Sequence, residues 1–184
     1  MDLRIQRTKA AIREAFLELR EKKPIEKITV TELTKLANIN KATFYLHYSD
    51  IYALSDEIED SLIDEILTDI EVADKFFDDP QDYSIRIFGA FVAHREQLDC
   101  VFSSSRRALL ADKIEQRIKG MIFANYPQYR NWRNDIILSF VIQGIFHTVK
   151  SERSLENIKG RYEELSAITA EVVARLRRDE ENDS

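Results

Sequence analysis

The chain has few of the residues that make tight turns, with four glycines and three prolines in 184 residues. Average usage is about 7% for Gly and about 5% for Pro. β-Hairpins rely on such residues, so an all-β fold is excluded. A single cysteine, Cys100, rules out a disulfide within the chain. No apolar run approaches the ~20 residues of a membrane-spanning helix, so no membrane partner is expected. The first twelve residues, MDLRIQRTKAAI, are charged and periodic and have no apolar secretion core. These absences predict a cytoplasmic protein with one sizeable core, or with a small module joined to a larger one. Catalytic patterns are missing too. There is no Gly-rich phosphate loop, and nothing marks an orienting third group for a Cys100–His94 pair. His94 and His147 lie far apart and lack carboxylate spacing. No enzyme, no metal and no cofactor is expected.

What is present is charge, unevenly spread. The net charge is −6, which by itself disfavours nucleic acid. Residues 1–50 nevertheless carry 10 Lys and Arg against 7 Asp and Glu, while the remainder carries 17 against 26. Phosphate binding needs local positive charge, not a basic whole. Residues 56–82 hold 12 acids and one base, Lys75. Their plain reading is a solvated acidic helix face. The sharper one, a carboxylate metal site, has no interleaved His to support it.

Helical periodicity runs through almost the whole chain. Residues 4–22 place Ile12, Phe16 and Leu19 on one face, and Pro24 ends the helix. Thr29-Val30-Thr31-Glu32 has the form of a capping box, with Leu33, Leu36 and Ala37 continuing an apolar face. That helix stops at Asn38, a residue that tolerates the left-handed conformation. Asn40 is a good N-cap for a second short helix, Lys41 to Tyr48, with Phe44 and Tyr48 inward. Ser49 or Asp50 starts a longer helix to about Lys75. Pro80 marks a break, and helices follow over 82–99, 106–124, 130–151 and 157–178. The stretch Ile136–Val149 is apolar almost all round, which predicts burial on two sides. The fold class is all-α with about nine helices.

Two short helices at 30–37 and 41–48, braced by an earlier one, predict a helix-turn-helix. The second helix must fit a major groove about 12 Å wide. Its outward residues are Lys41, Ala42, Thr43, Tyr45 and His47. Phe44 and Tyr48 anchor it. Arg4 and Arg7 read either as a groove-reaching N-terminal arm or as a solvated one.

The stretch ITVTELTKLANINKATFYLHYSDIYAL, residues 28–54, resembles the signature of the TetR/AcrR family of transcriptional regulators. The resemblance covers about residues 8–60, and Thr43-Phe44-Tyr45-Leu46-His47-Tyr48 is its most specific part. It implies that Thr31 faces DNA from the supporting helix. It implies that Lys41, Ala42 and Thr43 read bases, that Tyr45 and His47 contact phosphates, and that Leu46 touches a base or a thymine methyl. Asn38 stands where the family usually has Gly, and Ile51 where it often has a phosphate-binding Lys.

The resemblance further implies two domains, residues 1–50 for DNA and 51–184 for ligand binding and dimerisation. Its partners would be a palindromic double-stranded operator, a second copy joined through about residues 130–178, and an unidentified small-molecule effector. The aromatics Phe76, Phe77, Tyr83, Phe88, Phe91, Phe102, Phe123 and Tyr126 read either as that effector's pocket or as an ordinary core. Likewise the last two helices are either a dimer surface, where Gly144 allows close approach, or the monomer's own core. The expected function is a homodimeric repressor released by ligand. The alternative is an activator or other regulator of the same fold, controlled by a protein partner through its C-terminal domain.

Overall fold

Local signals for starting and stopping helices explain most of the architecture. In a computed structural model of the chain, residues 3–68, 76, 78–150 and 158–178 are described. Among them the structure is all-α, with nine α-helices, three short 3-10 turns and no strand. The helices are α1 Leu3–Lys22, α2 Val30–Leu36, α3 Lys41–Tyr45, α4 Ile51–Thr68 and α5 Pro80–Ala93. They continue with α6 Arg95–Val101, α7 Leu109–Asn125, α8 Trp132–Lys150 and α9 Ile158–Arg178.

The chain divides into two compact units. The first comprises residues 1–62 and 95–109. Its core is a stripe of apolar residues at helical spacing: Ile12 and Phe16 on α1, Leu33 on α2, Phe44 on α3, and Leu54 and Ile58 on α4. Residues 95–109 join it through polar anchors as well as through Leu98, Val101 and Phe102. The buried Arg20 guanidinium on α1 donates from Nη2 to the Val101 carbonyl at 2.9 Å and to Ser103 Oγ at 2.6 Å. Arg106 donates from Nε and Nη2 to the two carboxylate oxygens of Glu59, at 2.6 and 2.5 Å, and also to Asp56. Glu59 is 0% exposed. A buried carboxylate needs such a partner, because desolvation without one costs several kcal/mol by general estimates. Hydrogen bonds from Arg106 to Glu59 outweigh the desolvation of Arg106 itself and raise its pKa further above the ordinary guanidinium value.

The second unit comprises residues 63–94 and 110–184. In it α5 packs along α9, with the Phe88 and Tyr162 rings stacked at 5.4 Å, and α9 also packs on α8. Ile114, Ile118 and Ile122 form the buried stripe of α7. A polar lattice joins α7 to α8. Glu115 accepts from Ser139 at 2.6 Å and from Gln143 at 2.7 Å, and Lys119 pairs with both Glu115 and Asp135 at 2.9 Å.

Several helix limits differ from those expected. Pro80 begins a helix rather than only breaking one: it occupies the first turn, where its missing N–H costs nothing, and Asp79 caps it through Asp82 N. The expected helix 82–99 is two helices. They separate at His94, whose ring bonds the Ala90 carbonyl at 2.8 Å, at the point where the chain passes from one unit to the other. The expected start at 106 is a 3-10 turn, Ser104–Ala108, with Ser104 at φ 56°. The stretch expected to carry the fourth helix on to Lys75 lies outside the described residues.

Candidate nucleic-acid interface

The geometry begins with the end of α2. Its capping box is complete: Thr29 Oγ1 accepts from Glu32 N at 3.2 Å, and the Glu32 carboxylate accepts from Thr29 N at 3.3 Å. At the other end Asn38 adopts φ 53°. Its N–H donates to Lys35 O at 3.3 Å, and that of Ile39 donates to Thr34 O at 3.0 Å. These two bonds are the Schellman pair, which satisfies two terminal carbonyls and turns the chain sharply. Asn38 thus supplies the left-handed residue that the turn requires. Two residues later Asn40 caps α3, accepting from Thr43 N at 2.7 Å.

Helix α3 is shorter than expected. Five residues are α-helical, Lys41–Tyr45, and the chain then tightens into a turn in which Tyr48 N donates to Phe44 O at 3.0 Å. The next helix starts at Ile51, with Asp50 accepting from Ala53 N at 2.8 Å, so the connection between the two helices is confined to residues 46–50. Tyr48 still points inward, as its spacing from Phe44 predicts.

Phe44 is 0% exposed and fixes one side of α3 in the core. The opposite side is open. Tyr45 is 56% and Leu46 82% exposed, and Lys41, Ala42 and Thr31 are exposed as well. Thr43 and His47 are half-buried. The Thr43 hydroxyl donates to Asn40 Oδ1 at 3.0 Å, so its own oxygen remains an acceptor. An outward apolar Leu46, just beyond the end of α3 and beside Tyr45, serves no core, and packing does not explain its exposure.

Ile51 is buried, 6% exposed, so its position is part of the core and a lysine there would have to turn outward to stay solvated. Arg4 and Arg7 are exposed on the first turns of α1, so they belong to a helix and not to an extended arm.

Around Tyr48 lies a polar cluster that sequence reasoning missed. The Tyr48 hydroxyl donates to Glu57 Oε1 at 2.8 Å, and Lys9 Nζ donates to Glu57 Oε2 at 2.7 Å. Lys9 Nζ also sits 5.4 Å from the Tyr48 ring centre. Partial burial raises the Glu57 pKa, but hydrogen bonds from Lys9 and Tyr48 outweigh it and hold the carboxyl below the usual range. Burial, aided by the Glu57 carboxylate, pushes the Tyr48 phenol well above its ordinary value. In sequence the acidic run reads as a solvated face, yet several of its members are paired, among them Asp56 and Glu59 with Arg106, Glu57 with Lys9 and Tyr48, Asp64 with Arg117, and Asp82 with Arg86. Nothing in a string of acids marks which ones meet cationic partners, or that Glu59 alone of these is fully buried. Among the described residues, no three His, Cys, Asp or Glu side chains are grouped to hold a metal.

A second exposed surface lies on α8. Leu138 is buried, but Trp132, Ile136 and Phe140, one turn apart, are 76%, 58% and 80% exposed. Gly144 continues this stretch, and a side chain placed there would meet nothing within 4 Å. Trp132, Arg133, Ile136, Ile137 and Arg175 line a shallow groove of about 220 Å³. The two-sided burial expected of 136–149 is therefore not achieved within one chain. No helix among the described residues is long and apolar enough to cross a membrane.

Comparison with known proteins adds one relative. An uncharacterized HTH-type transcriptional regulator of Bacillus subtilis (strain 168), YxbF, is 32% identical to this chain over 87 residues. The aligned stretch is 47% of this chain and 22% of the relative's length. No family model matches the chain, and no solved structure matches it.

Proposed function

We propose that this chain is a homodimeric, DNA-binding transcriptional regulator of the TetR/AcrR type, a repressor released by a small-molecule ligand. One observation carries the reading. A very short helix follows a Schellman turn, with Phe44 locked in the core and Tyr45 and Leu46 presented outward beside Lys41 and Ala42. A surface of this width and chemistry suits the major groove. The partial relative, an HTH-type transcriptional regulator by name, agrees with it.

In this reading Lys41, Ala42 and Thr43 contact base edges, Leu46 meets a base or a thymine methyl, Tyr45 and His47 approach the backbone, and Thr31 faces DNA from α2. Residues 1–50 form the DNA-binding domain, and 51–184 the ligand-binding and dimerisation domain. One reader spans one half-site, so two copies place two readers about 34–36 Å apart on a palindrome. The uncovered face of α8, with Trp132, Ile136 and Phe140, together with α9, supplies the dimer surface. A ligand held among aromatics such as Phe76, Tyr83 and Phe88 favours a state with a different reader spacing, so its effect is a population shift.

The test is retention of a duplex from the DNA flanking the chain's own gene, followed by footprinting. A protected palindrome at low salt is expected, with affinity falling steeply as salt rises. No retained duplex, there or in a random-sequence pool, would overturn the reading. The exposed apolar face of α8 also favours a second arrangement, in which a protein partner covers it and controls the regulator. Sedimentation of the purified chain separates the two: a dimer supports self-association, and a monomer supports the partner.

A further inference from the structure

Helix α3 is too short to hold its own orientation, since isolated helices need about 12–15 residues to be even marginally stable. Something outside it must set its angle. Phe44 fixes one point near its middle and Asn40 caps its start. The chain beyond its end is held at Tyr48, whose N–H reaches Phe44 O and whose hydroxyl reaches Glu57 on α4 at 2.8 Å. The second oxygen of the same carboxylate holds Lys9 of α1 at 2.7 Å. One carboxylate thus ties together α1, α4 and the turn that closes α3.

We infer that Glu57 is a positioning residue for the proposed reading helix, setting its angle through the Tyr48 hydroxyl; this rests on the DNA-binding reading above. The Glu57 side chain is 47% and that of Lys9 35% exposed, so their ion pair adds little to global stability. The phenol–carboxylate bond is different. It is a charge-assisted bond made by a tyrosine that is 6% exposed, and its second partner, Lys9, holds the carboxylate in place. Its work is therefore local and directional. A negative charge near a DNA face would ordinarily weaken binding by repelling phosphate. Retaining one here makes sense if the geometry it enforces outweighs that repulsion, and this gives the inference a sign.

The experiment compares Glu57→Ala, Glu57→Gln and Tyr48→Phe with the wild-type chain, each as the full-length protein binding its selected duplex. Glu57→Ala and Tyr48→Phe are expected to weaken binding about tenfold each, the scale of one hydrogen bond to a charged group. The double variant is expected to be no worse than either single one, since both remove the same bond. Glu57→Gln keeps an acceptor for the phenol and is expected to restore most of the affinity. If Glu57 merely repels phosphate, Ala and Gln would both tighten binding, and that result overturns the inference. A second arm needs no DNA. Amide exchange at Leu46 and Tyr48 in the free protein is expected to quicken about tenfold in Glu57→Ala, while Leu33 and Ala37 stay unchanged. Unchanged exchange at Leu46 and Tyr48 also overturns it. Should the wild-type chain bind no duplex, the DNA-binding reading fails, and the exchange arm still decides what Glu57 does.

Discussion

Side chains on α3 divide by direction, and the division predicts what each substitution does. Phe44 is wholly enclosed, so Phe44→Ala should cost about 3–5 kcal/mol in denaturant unfolding, the usual range for an emptied aromatic site. Tyr45 is exposed, and Tyr45→Phe should leave unfolding unchanged while weakening binding to all duplexes alike, as expected of a phosphate contact. Lys41→Ala and Thr43→Ala should each cost about 1–3 kcal/mol at one base position if they read bases, measured on a panel of single-base operator variants. Uniform loss from all three substitutions would contradict their assignment. The inward pair Phe44 and Tyr48 was legible in the sequence because i, i+4 spacing places both on one face of a helical turn. Lys9 and Glu57 were not legible. They are 48 residues apart, and only folding brings them to 2.7 Å.

At the scale of the element, caps and paired charges set the helix limits. Thr29→Ala removes half of the capping box and should cost about 1 kcal/mol of stability. Asn38→Ala should cost about 1–2 kcal/mol because alanine resists positive φ, while Asn38→Gly should be neutral or slightly stabilising; thermal unfolding of the three variants checks the order. Removing Arg106 leaves Glu59 buried without its ion-pair partner, so Arg106→Met should be far more damaging than a surface change, on the order of 3–5 kcal/mol. The α7–α8 lattice predicts a pH dependence. Burial raises the Glu115 pKa, but hydrogen bonds from Ser139, Lys119 and Gln143 outweigh it and leave the value below the ordinary 4.5. The carboxylate therefore contributes stability above pH 4.5, and that contribution is lost as pH falls through the lower folded value. Glu115→Gln should flatten this acid-side loss in unfolding curves taken at successive pH values. Cap residues were readable because they act on backbone a few positions away. The break at His94 was not, because apolar periodicity continues across it while the chain changes units.

For the whole molecule, the open face of α8 matters most. Three large apolar side chains a turn apart are seldom left in water, so on the proposed reading they meet a second copy. Replacing Ile136 and Phe140 together by Glu should shift the chain to monomer in sedimentation and reduce operator binding, with its helical signal intact. A variant that stays dimeric would place the interface elsewhere. The apolar character of residues 136–149 was plain in the sequence. Which of these residues the chain covers itself was not, since an apolar surface carries no label for its partner.

Helix type, capping and the sharp turn at Asn38 were determined by the sequence alone. Each depends on interactions within a few residues, where periodicity, a hydroxyl or an amide decides the outcome. The length of α3 was decided jointly, as the next cap at Asp50 and the inward pull of Tyr48 cut it to five residues. Only the tertiary structure decided that residues 95–109 join the first unit. It alone decided that Glu59 is buried against Arg106, that Glu57 pairs with Lys9, and that Trp132, Ile136 and Phe140 stay outside. The physical reason is common to all of these. Burial and ion pairing depend on distance in space, which the order of residues along the chain does not reveal.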